Sequence, residues 1–219
     1  MTARDETLAV APHSARAGMT VEGLVSLAPV IPVVVLDDMA DAVPLAAALA
    51  RGGLPAIEVT LRTPAALPAI ERIAAEVEGA VVGAGTVTSP QQVDDVLAAG
   101  ARFLVSPGAT PTLLDALQAS GVPFLPGTAT PSDIVALLER GITHAKLFPA
   151  EVVGGIRALK AFAGPFPQMR FCPTGGIDVG NAPDYLAQPN VVCVGGSWMT
   201  RGDIETLARG ASQLGAVAR

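Results

Sequence analysis

Eight short apolar runs, rich in β-branched residues, recur along the chain at intervals of about 23 residues. They occupy 30–36, 56–61, 81–86, 103–107, 123–126, 144–148, 170–174 and 191–195. Ala- and Leu-rich segments separate them, at 39–51, 65–77, 91–99, 112–120, 132–140, 155–163 and 181–187, and 203–214 closes the series. These segments carry helical period: Ile134, Leu137 and Leu138 fall at i, i+3 and i+4. Ser89-Pro90, Thr110-Pro111 and Thr130-Pro131 each place a capping hydroxyl before a proline of the first turn. Gly52, Gly79, Gly100, Gly121 and Gly141 read as stops. Strands apolar on both faces, alternating with helices, imply a parallel sheet covered on each side. Eight such units predict a single α/β domain, a (β/α)8 barrel over 19–219, with a short helix over 21–28 before the first strand. A doubly wound open sheet is the alternative, but Gly83-Ala84-Gly85 is only half of a dinucleotide-binding fingerprint.

Composition narrows the partners. Half of the 219 residues are hydrophobic, so a large core is available. The net charge is −6 with no basic run, which argues against nucleic acid and acidic membrane surfaces. No apolar stretch approaches the roughly 18 residues of a membrane span. Cys172 and Cys193 are too few for a disulfide framework and suit a reducing cytoplasm as buried, inert thiols. Residues 1–18 read as a flexible tail, and Met19 as the natural start.

In a barrel of parallel strands the chemistry sits at the strands' C-terminal ends, which directs attention to polar residues there. The chain has two lysines against twelve arginines. Lys160 falls in a helix and reads as solvated, whereas Lys146 lies inside a strand, His144-Ala145-Lys146-Leu147-Phe148. Burying an ammonium is costly, and a lysine so placed becomes a nucleophile able to form an imine with a carbonyl. Glu58 is the one acidic residue expected within a strand. The two-residue period puts Glu58, Thr60 and Arg62 on one face. Glu58 suits a general acid/base, and Arg62 offers a planar fork for a carboxylate or phosphate. A structural ion pair, Glu58 with Lys146 or with Arg62, is the competing reading. Thr174-Gly175-Gly176-Ile177 and Gly195-Gly196-Ser197 end the last two strands, where converging N–H groups and the next helix N-terminus suit a phosphate. His144 begins its strand, on the stability face, and His13 lies in the tail; neither has a partner at metal-ligand spacing, so no metal is expected. Glu151 follows the sixth strand at the site rim, with no role assigned.

Taken in order from about residue 20 to about 200, several segments resemble the 2-dehydro-3-deoxy-6-phosphogluconate (KDPG) aldolase and 4-hydroxy-2-oxoglutarate (KHG) aldolase family. They are 57–63 (IEVTLRT), 83–87 (GAGTV), 106–108 (SPG), 146–151 (KLFPAE), 171–177 (FCPTGGI) and 195–198 (GGSW). The resemblance implies a class I aldolase without cofactor, in which Lys146 forms the Schiff base and Glu58 moves protons through water. It further implies that Arg62 and Thr86 hold the carboxylate of the pyruvyl part and that Pro107 and Phe148 wall its apolar side. Thr174 would contact hydroxyls, and Gly175, Gly176, Gly196 and Ser197 would hold the phosphate. The implied partner is a phosphorylated 2-keto acid, cleaved to pyruvate and glyceraldehyde 3-phosphate, and the implied assembly is a homotrimer. Two features depart from the pattern or leave it open. Residues 199–203 (MTRGD) follow Trp198 directly where the family often has an insertion, and 126–130 (PGTAT) varies in the family. A metal-free sugar-phosphate isomerase or epimerase, a non-catalytic sugar-phosphate binder, and an aldolase for the galactonate diastereomer are the alternatives.

Overall fold

In a computed structural model, residues 18–214 are described. The expectations for a tail and for His13 lie outside them. Helix α1 (Val21–Val25) precedes β1 (Val30–Val34), and a 3-10 turn (Met39–Asp41) leads into α2 (Ala42–Arg51). Then follow β2 (Ala56–Thr60), α3 (Ala66–Glu76), β3 (Val81–Gly85), α4 (Pro90–Ala98), β4 (Leu104–Val105), α5 (Pro111–Ala119) and β5 (Phe124–Leu125). The remainder is β6 (Gly127–Thr128), α6 (Pro131–Leu138), β7 (His144–Leu147), α7 (Gly155–Ala163), β8 (Arg170–Pro173), α8 (Ala182–Leu186), β9 (Val194–Gly196) and α9 (Ile204–Ser212). No helix among the described residues is long and apolar enough to cross a membrane.

The capping chemistry works as its residues require. Ser89 Oγ accepts from the Gln92 N–H, and Thr110 Oγ1 from the Leu113 N–H. Thr130 accepts from the Asp133 N–H while the Asp133 carboxylate accepts from the Thr130 N–H, closing a capping box. Gly52 caps α2 as expected, and Gly53 beyond it takes the left-handed turn (φ +89). Gly52 lies against Ala208 of α9, where a Cβ would collide.

The strands are parallel and pair in two ladders. One has the order β5-β4-β3-β2-β1-β9 and the other β6-β7-β8. The fifth strand is the point of division. Pro126 has no N–H to give to a ladder, and on either side of it Phe124–Leu125 pairs with β4 while Gly127–Thr128 pairs with β7. The last strand starts later than its apolar run. Two isolated bridges, Phe171 with Val191 and Thr174 with Gly195, join β8 to the approach and body of β9.

Side chains alternate across each strand. Ile57 and Val59 pack outward under the helices, as do Ala145 and Leu147. Inward, a second apolar cluster gathers Ile31, Ala56, Phe103, Val105, Leu125, Cys172 and Cys193 with Leu24 and Val25 of α1. Helix α1 thus covers the N-terminal ends of the strands. The Cys193 thiol is pushed well above its usual value by its hydrogen bond to Cys172 and by burial, which suits an inert core thiol.

His144 opens β7 at this covered end, with Nδ1 3.8 Å from Glu22 of α1. Burial holds its imidazole below the ordinary 6.5, outweighing the pull of Glu22. The folded protein therefore resists protonation that the unfolded chain accepts. Stability present above about pH 6.5 falls as pH drops from that value to the lower folded one. The thermal midpoint of wild type should decline between pH 7 and pH 5, and His144→Gln should flatten that decline; equal slopes for the two proteins would refute it.

Candidate active site

Glu58 stands at the middle of β2, paired in register with Val33 and Gly83. Lys146 stands on β7, in register with Gly127 and Cys172. The two belong to different ladders and meet in the interior. Lys146 Nζ lies 3.1 Å from Glu58 Oε1 and 3.4 Å from Oε2. The residues are 4% and 3% exposed. Of the two ion pairs open from sequence, the structure forms this one. Below the pair lies the apolar plug, with Cys172 next along the β8 interior; beside it, the Phe148 ring centroid is 5.2 Å from Nζ.

The surrounding backbone is shaped to this contact. A Cβ at Gly85 would fall on the Glu58 carboxylate, and one at Gly83 would sit 2.5 Å from the Phe103 ring. The Gly-Ala-Gly segment is therefore a clearance, not part of a nucleotide motif. Gly127 is pressed onto the Pro107 carbonyl, which sets that proline beside β6. Thr128 donates its hydroxyl to the Lys146 carbonyl at 3.1 Å, and Thr60 donates to the Val34 carbonyl at 3.0 Å. Sequence pattern puts Thr60 on the face of Glu58, Gly85 in half of a fingerprint and Thr128 in a variable stretch, but it gives none of the three these contacts. A lone small or hydroxyl residue in an apolar run has no signal until its neighbours across the sheet are known.

Arg62 lies two residues beyond the end of β2 and is exposed. Its Nε donates to Thr86 Oγ1 at 3.3 Å. Among the described residues its guanidinium meets no carboxylate. Thr86 follows β3 with φ +60, a left-handed conformation that a β-branched residue rarely takes and that costs on the order of 1–3 kcal/mol. Strain of this size at a residue whose hydroxyl meets an exposed guanidinium is a common mark of a functional site.

Thr174 follows β8 and is buried. Its hydroxyl donates to the Cys172 carbonyl at 3.4 Å, and its side chain fills the space where Gly195 lacks one. Gly196 ends β9 under the Trp198 ring, and Ser197 emerges exposed. Gly175 and Gly176 both take positive φ, +99 and +81. Their carbonyls are bound, by the Glu151 N–H at 3.1 Å and by Asn181 Nδ2 at 2.8 Å. Among the described residues no acceptor meets their N–H groups, an arrangement that leaves donors for an anion. The helices α8 and α9 begin well past these turns, so the loops, not helix ends, present the donors.

A buried lysine against a carboxylate, an exposed guanidinium and two glycine turns thus gather toward the C-terminal ends of the strands of a parallel α/β protein. The chain belongs to the KDPG and KHG aldolase family, whose model matches residues 21–210. It is 50% identical over 182 residues to the 2-dehydro-3-deoxy-phosphogluconate aldolase of Dickeya dadantii, covering 83% of this chain and 85% of that one. The crystal structure of the 2-keto-3-deoxy-6-phosphogluconate aldolase of Zymomonas mobilis with 3-phosphoglycerate matches with a TM-score of 0.86 at 48% identity, over 89% and 95% of the two chains. The Legionella pneumophila KDPG aldolase, with pyruvate captured as a covalent carbinolamine intermediate, matches with a TM-score of 0.85 at 46% identity, over 88% and 98%.

A buried pair with one partner deleted leaves an uncompensated charge. Lys146→Met should lower unfolding free energy by about 3–5 kcal/mol, and Lys146→Met with Glu58→Leu should recover most of it. Urea denaturation checks this; a double variant no more stable than the single one would show that the contact is not the source of the loss.

Proposed function

We propose that this protein is a class I aldolase that cleaves 2-dehydro-3-deoxy-6-phosphogluconate to pyruvate and glyceraldehyde 3-phosphate. The observation that carries this reading is the buried Lys146–Glu58 contact, supported by the identity to relatives that bear that activity. Lys146 is the amine that adds to the C2 ketone. The carbinolamine loses water to give a protonated imine, with Glu58 moving protons through water. As the C3–C4 bond breaks, its electron pair flows into the imine and leaves an enamine. The C4 hydroxyl proton passes to Glu58, and glyceraldehyde 3-phosphate departs. Protonation of the enamine at C3 and hydrolysis of the imine release pyruvate and return the lysine. Glu58 needs only to sit within reach of each proton, which a contact of 3.1 Å to the nucleophile allows.

Binding follows the same division. Arg62 and Thr86 hold the carboxylate, Pro107 and Phe148 wall the methyl side, and Thr174 meets the hydroxyls. Gly175, Gly176, Gly196 and Ser197 hold the phosphate, so both ends of the substrate are fixed and the reacting bond is oriented. 4-Hydroxy-2-oxoglutarate shares the pyruvyl half and is the expected weaker substrate. We further take the two ladders to form one closed (β/α)8 barrel within a domain of 19–219, joined across Pro126 and through the bridges to β9. A homotrimer in the cytoplasm, acting on small molecules, completes the reading.

Borohydride reduction with pyruvate, followed by peptide mapping, is the test. A reduced pyruvyl adduct on Lys146, absent in Lys146→Arg, is expected. Well-folded protein that traps no adduct would overturn the aldolase and favour acid/base isomerisation.

A further inference from the structure

Glu151 and Tyr185 form a contact that the reaction does not use. Glu151 follows the 146–150 segment and is exposed, yet its Oε1 accepts a hydrogen bond from the hydroxyl of Tyr185, a residue buried in α8. Burial and the Glu151 carboxylate push the Tyr185 phenol well up, so it remains a donor across the working range of pH. The Glu151 stem runs against the glycine cradle: a Cβ at Gly176 would lie 2.5 Å from its Cγ. Its own N–H binds the Gly175 carbonyl, while Asn181, at the start of the same helix α8, binds the Gly176 carbonyl. Gly155 completes the nest on the far side, where a Cβ would lie 2.6 Å from the Tyr185 hydroxyl and 3.2 Å from Glu151 Oε1. A carboxylate so close to an anion cradle is repulsive unless its charge is turned away. The tyrosine hydroxyl holds Oε1 on the side of α8, with the carboxyl carbon 4.0 Å from the point where a Gly176 Cβ would lie.

We propose that Tyr185 is a positioning residue which, through Glu151, sets the preference for a phosphorylated over an unphosphorylated substrate. It draws the Glu151 carboxylate toward α8 and off the Gly175–Gly176 cradle. The inference rests on the reading of that cradle as the phosphate end of the site. Without the latch, the carboxylate is free to swing toward the cradle and compete with phosphate for its N–H donors.

The experiment compares steady-state kinetics of the full chain on 2-dehydro-3-deoxy-6-phosphogluconate and on 4-hydroxy-2-oxoglutarate. Tyr185→Phe should raise KM for the phosphorylated substrate about tenfold, with kcat within about twofold and KM for the unphosphorylated one unchanged. Adding Glu151→Gln should return that KM to within about twofold of wild type, because the neutral amide no longer repels phosphate. Pyruvate trapping by borohydride should be equal in all variants. Glu151→Asp at the same exposed position, with a carboxylate too short to reach Tyr185, should reproduce the selective effect while Glu151→Asn should not, and this pair stands in if Tyr185→Phe does not fold. A loss shared by both substrates, or one that Glu151→Gln does not rescue, would mean that the contact is only packing and would overturn the proposal. Wild type with equal KM for the two substrates would instead overturn the phosphate reading of the cradle, and the latch with it. A wild type that prefers phosphate, with a Tyr185→Phe that does so equally, would overturn the latch alone.

Discussion

The ammonium of Lys146 and the carboxylate of Glu58 are almost wholly withdrawn from water, and everything near them is arranged around that fact. Each charge alone would cost several kcal/mol to bury. Together they compensate, and because one sits on β2 and the other on β7, the compensation also ties the six-stranded ladder to the three-stranded one. The requirement spreads outward. Position 85 carries no side chain because the carboxylate occupies its space. Thr128 binds the backbone of Lys146 itself. The apolar plug of Phe103, Leu125 and the two cysteines closes the interior on one side, so the pair faces the open ends of the strands.

A single interior thus has two chemistries stacked along the strands. On β7 the inward column reads His144, Lys146 and then Phe148; on β2 it reads Ala56, Glu58 and Thr60; on β8 it runs from Cys172 to Thr174. The lower layer is apolar apart from His144 and is capped by α1. The upper layer is hydroxyl and charge, and gives way to loops that carry Arg62, Thr86 and the glycine cradle. Stability and chemistry are separated along the strand direction, which is why a histidine at one end and a lysine two residues later on the same face do different work.

Much of this was legible in the residues. The helices were readable from hydroxyl–proline pairs that do cap them, and Glu58 and Lys146 stood out as charges inside apolar runs. Arg62 is less well described by strand period: the strand ends at Thr60, and the guanidinium reaches Thr86 from a turn. The fifth apolar run, 123–126, stops at Pro126; Gly127–Thr128 beyond it has no apolar signal, yet it pairs with β7 while Phe124–Leu125 pairs with β4. Gly83-Ala84-Gly85 was ambiguous because a glycine in a strand signals only that something comes close; Phe103 and Glu58 are what come close. Tyr185 carried no signal at all, since a tyrosine in an amphipathic helix is ordinarily core.

What the sequence by itself determined is therefore local and periodic: alternating strand and helix, the caps, the inward column that holds each charge, and the family whose motifs it shares. These follow from backbone propensity and burial, which act over a few residues. Tertiary structure alone decided which carboxylate meets which cation, how pairing divides at Pro126, and that Glu151 is held by a helix 34 residues further on. Such contacts join residues distant in the chain. Their geometry depends on strand register and packing across the whole interior, and no local pattern encodes it.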